Sequence, residues 1–368
     1  METPNRLFAL EVPAALIAQR PLPERDQSRM MLLRRRGEGA AHHRFAELPA
    51  LLPADALLVL NNTRVIPARL EGRRPGGGAV EALLTEELAP GRWRAMVKNA
   101  RRLHPGDRLE FAAGAIPAEA REREREGTWV LEFAEAQTLR ERLREHGQTP
   151  LPPYVKRNGD SNGGATNGSA SKDGASNSMA ARHREWYQTV YGRVEGSIAA
   201  PTAGFHFTPA VFEALAARGI ARTELTLHVG AGTFLPIQGG DVEHHRMHRE
   251  WFTMEPAACR AILGARAAGR PVVAVGTTTV RALESWARQG FAEGCAGFTE
   301  LFIRPPYEFR AVDGLLTNFH QPASTLLQLV AAFHGEAAIL AAYREAIARG
   351  YRFYSYGDCM AILPQATG

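Results

Sequence analysis

The chain has 368 residues, 45% of them hydrophobic and 23% charged, with a formal net charge of +5 and a sequence pI of about 9.3. This composition excludes a low-complexity or fibrous polymer and fits a globular chain of roughly two domains. The mild positive balance is compatible with a nucleic-acid partner without requiring one.

At the N-terminus, "METPNRLFALEVPAAL" lacks a basic segment followed by a long apolar run, so no signal peptide is read there. No run of about 18 apolar residues predicts a spanning helix. The expected location is the cytoplasm, with no membrane partner. Three separated cysteines, Cys259, Cys295 and Cys359, show no C-x-x-C pairing, which argues against a disulfide framework or a thiolate zinc site.

The first zone ends in "ALLVLNNTRVIPARLEG", an apolar strand to Leu60, turn chemistry at "NNT", and a second extended stretch from Arg64. Residues 64–150 then alternate short strand-like runs ("AVEALLTEEL", "RWRAMVKNA", "TWVLEFAEA") with Gly/Pro turn signals, which predicts a small all-β module. "REREREG" at 121–127 reads as a solvated hairpin arm. Residues 157–181 are nearly all Asn, Gly, Ser, Ala and Asp, too poor in apolar groups to offset their ordering entropy, and predict a disordered loop.

From about residue 184 strands and helices alternate. Thr208 and Pro209 open a helix that stops at Gly219, and "EPAACRAILGARAAGR" is a second, ending at Gly269. "PVVAVG" predicts a buried strand and "TTVRALESWARQG" a helix directly after it. "GLLTNFH" predicts a strand before the helix of "PASTLLQLVAAFHG", and the last helix, "EAAILAAYREAIARG", feeds a strand-like "YRFYSYGD". This alternation favours a mixed or parallel sheet covered by helices.

Ligands of open α/β sheets collect beyond strand carboxyl ends, and five stretches place polar residues at such points: "NNTR", "PTAGFHFT", "LHVGAGTF", "VGTTTVRALES" and "TNFHQPAST". "LHVGAGTF" lacks the G-x-G-x-x-G and G-K-[ST] patterns of phosphate loops. Its glycines serve either a tight turn of positive φ or the close approach of a flat ligand to the backbone. In "VGTTTVRALES", Thr277 and Thr278 open a helix whose N–H groups attract an anion, and Arg281 and Glu284 share one helix face. The alternative is a threonine cap with a surface Arg281–Glu284 pair. Tyr354, Tyr356 and Asp358 alternate, as on one face of a strand, and form either an ordinary amphipathic strand or an aromatic wall for a nucleoside.

His206, His228, His248 and His320 each fall in a loop beside turn or hydroxyl residues. Histidine moves protons near neutral pH. "EHHRMHRE" offers His245 and His248 as metal ligands or His248 with Glu250 as an acid/base pair, but no metalloprotease-like spacing is present, and no metal is expected.

Taken together, "LNNTRVIPARL", "LPPYVKR", "YQTVY", "AAPTAGFHFT", "TLHVGAGTF", "HRMHRE", "VVAVGTTTVRALES", "TNFHQPASTLL" and "YRFYSYGDCMAIL" resemble, in order and over nearly the whole chain, the S-adenosylmethionine:tRNA ribosyltransferase-isomerase family of queuosine biosynthesis. The resemblance implies a mixed-sheet α/β main domain (1–60 and 154–368) interrupted by a smaller barrel-like all-β domain (61–153). It implies transfer and isomerisation of the ribosyl group of S-adenosylmethionine onto 7-aminomethyl-7-deazaguanine at the tRNA wobble position. The products would be epoxyqueuosine, adenine and methionine. S-adenosylmethionine would be a substrate, no prosthetic group would be needed, and a monomer is expected. Two departures are the Asn/Gly/Ser insertion between "LPPYVKR" and "YQTVY", where the family has a short acidic linker, and Phe205 where leucine is more usual.

Under this resemblance His206, His228, His248 and His320 become the expected proton-transfer residues. Arg281 with Thr277 and Thr278 would hold the methionine carboxylate. Gly230, Gly232 and Thr233 would face the adenosine. Arg64, Thr202, Gly204, Glu284, Asn318, Tyr356 and Asp358 complete the expected substrate site. Arg73, Arg74, Lys98, Arg101 and Arg102 are expected to meet tRNA phosphates. Two rivals remain at this stage: a base-exchange nucleoside glycosyltransferase and a non-catalytic tRNA-binding protein.

Overall fold

The computed structural model describes residues 7, 9–35, 37, 39–124, 127–156, 173–234, 237, 242 and 245–365. The chain opens with β1 (Arg29–Arg34), β2 (Ala41–Arg44), a short α1 (Leu48–Leu51), β3 (Leu57–Asn61) and β4 (Thr63–Val65). Every residue of β3 is buried, as its unbroken apolar run requires of a central strand.

Six strands follow: β5 (Arg69–Arg73), β6 (Ala79–Ala89), β7 (Arg92–Lys98), β8 (Arg108–Phe111), β9 (Ile116–Arg123) and β10 (Thr128–Phe133). They close into an antiparallel barrel in the order β10, β7, β6, β5, β8, β9. Inward positions alternate with outward ones, so Ala82, Ala95 and Ala120 share the interior with Trp93, Phe111 and Trp129. Arg121, Glu122 and Arg123 of "REREREG" are exposed at the end of β9, while residues 125 and 126 lie outside those described.

Next come α2 (Leu139–His146), α3 (Asp173–Trp186), β11 (Val194–Ser197), α4 (Pro209–Ala217), β12 (Ala221–Leu227), β13 (Glu250–Met254), α5 (Pro256–Ala267), β14 (Val272–Val275), α6 (Thr277–Arg288), β15 (Cys295–Thr299), β16 (Gly314–Asn318), α7 (Thr325–His334), α8 (Glu336–Ala348) and β17 (Cys359–Leu363). The order across the main sheet is β15, β13, β12, β3, β14, β16, β17, β1, β2. Strands β12, β3, β14 and β16 are mutually parallel at its centre. Apolar clusters cover both faces, one with Trp286, Leu329 and Ile339 from α6, α7 and α8, the other with Leu48 from α1 and Val211 from α4. β4 and β11 pair in parallel where the chain leaves for the barrel and returns.

Local signals placed the elements after residue 200 well. Thr208 accepts the Val211 amide (3.3 Å) at the start of α4, and Gly219 and Gly269 stop two helices with φ of 71° and 70°. Two expectations are corrected. "YRFYSYGD" is a turn rather than a strand: Tyr354 has φ 70°, the Gly357 amide donates to the Tyr354 carbonyl (2.9 Å), and a side-chain carbon at 357 would meet the Arg352 carbonyl at 2.5 Å. Of the stretch expected as a disordered loop, residues 157–172 lie outside those described, while 173–181 form the start of α3.

Candidate functional site

The carboxyl ends of the parallel strands surround a polar chamber. Directly after β14 lie Gly276, Thr277 and Thr278, and at and beyond the end of β16 lie Thr317, Asn318, His320 and Gln321. Thr202, Thr233, Tyr154, Tyr187, Tyr354 and Ser355 complete the lining. Gly276 takes φ 93° so that the chain can turn from strand into α6, and no side chain caps that helix. Its first turn lines the chamber without a side-chain cap, and the threonine-cap alternative falls. Asn318 accepts from the Thr202 hydroxyl (3.1 Å) and donates to the Tyr354 carbonyl (3.3 Å), fixing its amide at the chamber wall.

Sequence reasoning missed the tyrosine wall. The Tyr154 hydroxyl bonds Ser355 Oγ at 2.6 Å, and burial pushes its pKa up to about 12. Tyr187 is fully buried, and its hydroxyl sits near Ser355 and the Ala200 backbone without a well-aligned hydrogen bond. Unpartnered buried hydroxyls are rare because they forgo their water. The signal lay in "LPPYVKR" and "YQTVY", about thirty residues apart in the chain and meeting only in the fold. The chamber has a volume of about 60 Å³ in this conformation, room for about two waters.

His320 lines the chamber with Nε2 2.7 Å from Thr317 Oγ1, and burial lowers its pKa to about 3. Behind Val229, which lines both spaces, a cleft of about 1080 Å³ separates the main sheet from the barrel. His228 faces it. Its Nδ1 lies 2.7 Å from Thr63 Oγ1, its ring stacks on Trp251, and its Nε2 edge rests on Gly196. Burial, aided by Arg140, lowers the His228 pKa to about 4 and keeps the ring neutral. His248 lies exposed on the same cleft.

The loop between the two spaces carries Gly230, Gly232 and Thr233. Neither glycine has a positive φ, so that reason for them is corrected, although the chain does turn tightly here, with the Thr233 amide donating to the Gly230 carbonyl at 3.3 Å. Gly232 packs closely against a neighbouring ring: a side-chain carbon there would come within 2.3 Å of His248 Cδ2. The Gly230 amide donates to Glu250 Oε1 at 2.8 Å.

Several expected residues lie elsewhere. Arg281 is 3% exposed and paired with Glu250, with Nε donating to the Leu301 carbonyl (3.2 Å), so it does not reach the chamber. Glu284 does not pair with it; its carboxylate accepts the Arg310 and Ala311 amides, and burial raises its pKa. His206 packs under the chamber against Phe45, receives the Asn318 amide at 3.4 Å, and is held neutral with its pKa lowered to about 3 by burial.

Gly204 makes room for the Tyr191 hydroxyl, which a side-chain carbon would meet at 2.0 Å. Arg64 is exposed and donates to the Gly192 carbonyl (3.2 Å). Tyr356 is buried against Tyr187 and Phe205. Asp358 clasps Arg29 and the Arg352 amide (2.8 Å). The strand register sets Arg73, Arg74, Lys98 and the Ala100–Arg102 turn at one barrel end, where Lys98 meets Glu81 at 3.2 Å; none of them lines the cleft. Among the described residues no group of three His, Cys, Asp or Glu side chains is placed to hold a metal.

The fold and site define a two-part α/β and β-barrel enzyme with a buried polar chamber beside an open cleft. The chain belongs to the family described as queuosine biosynthesis protein, whose family model matches residues 5–362. It is 49% identical over 360 residues to the S-adenosylmethionine:tRNA ribosyltransferase-isomerase of Anaeromyxobacter sp. (strain Fw109-5), covering 96% of this chain and 97% of that one. The protein of the same name from Rhizorhabdus wittichii is 45% identical over 361 residues, covering 97% of this chain and 98% of that one. The crystal structure of an S-adenosylmethionine tRNA ribosyltransferase from Thermotoga maritima matches with 35% identity and a TM-score of 0.54, over 97% of this chain and 100% of that one.

Proposed function

We propose that the chamber takes S-adenosylmethionine, that the cleft takes the modified base of tRNA, and that the reaction crosses the His228–Thr233 loop between them. The activity follows from the family: ribosyl transfer and isomerisation onto tRNA in queuosine biosynthesis, a transferase and isomerase reaction with S-adenosylmethionine as substrate. In full, the ribosyl group passes to 7-aminomethyl-7-deazaguanine at the wobble position, giving epoxyqueuosine, adenine and methionine. The observation that carries the division is one loop whose Val229 lines both spaces.

The α6 amides with Thr277 and Thr278 suit the methionine carboxylate without Arg281. Thr202, Asn318, Tyr154, Tyr187 and Ser355 offer hydroxyl and amide partners for the ribose and adenine. The sulfonium acidifies the C5′ proton, so a neutral imidazole suffices to accept it, and His228 is neutral and beside the loop. His320, inside the chamber, is the partner for adenine departure, and His248 stands at the cleft for the attacking amine. His206 supports Asn318 from below. Residues 1–60 and 154–368 form the catalytic body and 61–153 the inserted module, whose basic end meets tRNA phosphates. The protein works in the cytoplasm as a monomer.

The test is adenine release from S-adenosylmethionine in the presence of tRNA bearing 7-aminomethyl-7-deazaguanine. Release dependent on that tRNA supports the division of roles. Tight tRNA binding without adenine would return the chain to the binding-protein alternative, and dependence on phosphate or free base to the glycosyltransferase.

A further inference from the structure

Three neighbouring strands set aromatic rings in a row along the cleft floor. The His228 amide, just beyond β12, donates to the Trp251 carbonyl at 2.9 Å, and Trp251 on β13 is the register partner of Phe298 on β15. The His228 and Trp251 rings stack with centroids 5.1 Å apart and 23° between planes. Phe298 is 48% exposed on the edge strand, and the Arg249 guanidinium lies over its ring at 3.7 Å. Arg249 directly precedes β13, and all four side chains line the cleft.

A single exposed phenylalanine needs no explanation. A row of imidazole, indole, phenyl and guanidinium planes at the open side of a sheet is a different matter, because the core gains nothing from Phe298 or Arg249. We propose that this row is the stacking platform for the unpaired bases of the tRNA anticodon loop, with the modified base at the His228 end and a flanking base on the Phe298–Arg249 pair. This rests on the assignment of the cleft to tRNA. Single-stranded RNA is recognised by splayed bases stacked on aromatic rings and guanidinium planes. Four bordering carboxylates already carry arginine partners, Glu86 and Glu124 with Arg94, Glu87 with Arg140, and Glu195 with Arg144. The repulsion they would exert on phosphates is thereby reduced. Besides the Phe298 ring beneath its plane, Arg249 reaches Glu86 across the cleft at 3.9 Å.

The platform is tested on the full-length protein with a fluorescently labelled anticodon stem-loop RNA bearing the aminomethyl base, and with full-length tRNA in the adenine assay. Phe298→Ala removes an exposed ring, so the variant folds; its unfolding temperature serves as the control. Weakening of stem-loop binding by about tenfold or more is expected, with a matching rise in the tRNA KM and no change in the S-adenosylmethionine KM. Phe298→Tyr, which keeps a ring, restores both. Unchanged RNA binding in Phe298→Ala overturns the platform, as does an equal rise in both KM values. A change of oligomeric state with intact RNA binding also overturns it and makes β15 an interface between copies. The assignment of the reaction fails separately: wild-type protein that binds the stem-loop but releases no adenine sinks the activity, while the platform is still judged on binding. Absence of RNA binding in the wild type removes both.

Discussion

The Glu250 carboxylate ties the Gly230 amide on one oxygen to the Arg281 guanidinium on the other, joining the loop between chamber and cleft to the helix whose N-terminus faces the chamber. Both side chains are nearly inaccessible, at 4% and 3% exposure. The pair is therefore a structural clamp on the loop, and Arg281 Nη2 is buried without a partner.

Arg281→Met leaves Glu250 buried and uncompensated, a loss of roughly 3–5 kcal/mol for a broken buried pair. The expected outcome is a clearly lowered unfolding temperature, partly restored in the Glu250→Gln/Arg281→Met double variant. If Arg281→Met keeps its stability and raises only the S-adenosylmethionine KM, Arg281 binds the substrate carboxylate after all.

Tyr187→Phe removes a buried hydroxyl that makes no well-aligned hydrogen bond to its neighbours Ser355 and Ala200 in the free protein. Its loss costs little hydrogen bonding and spares a desolvated group, so stability changes little. Binding of S-adenosylmethionine weakens, by about tenfold where one good hydrogen bond is lost. Calorimetric titration with S-adenosylmethionine decides it, and unchanged affinity would take Tyr187 out of the site.

Gly232→Ala forces the His248 ring aside, since the new methyl would sit 2.3 Å from Cδ2. His248 is exposed and can swing away, so the fold tolerates the change. Single-turnover adenine release should fall to the level of His248→Ala. A wild-type rate in Gly232→Ala with a slow His248→Ala would mean that the ring acts from another position.

His206 and His320 both have pKa values lowered by burial from the usual 6.5 to about 3. The unfolded chain takes up protons below pH 6.5 that the folded chain refuses, so their contribution is complete above 6.5 and is lost as pH falls toward 3. Urea midpoints should drop between pH 7 and pH 5, and less steeply in His206→Gln. Equal slopes in the two proteins would acquit His206. For His228, lowered to about 4, loss of the neutral ring places the acid limb of kcat/KM near pH 4 rather than 6.5.

Local chemistry in the sequence was enough to place the helices and central strands after residue 200, because caps, glycine stops and unbroken apolar runs act over one or two turns of chain. The same chemistry marked Thr277, Thr278, Asn318 and His320 as groups at strand ends, and these do meet in the chamber. It could not say that Arg281, three residues from Glu284 on a helix, would instead find Glu250 thirty-one residues away. Nor could it join Tyr154, Tyr187 and Ser355 into one wall, or set Phe298 beside Trp251. Those partnerships follow from strand register and from which loops the sheet order brings together. A polar side chain's sequence shows that it needs a partner, and only the packed fold decides which group removes it from water.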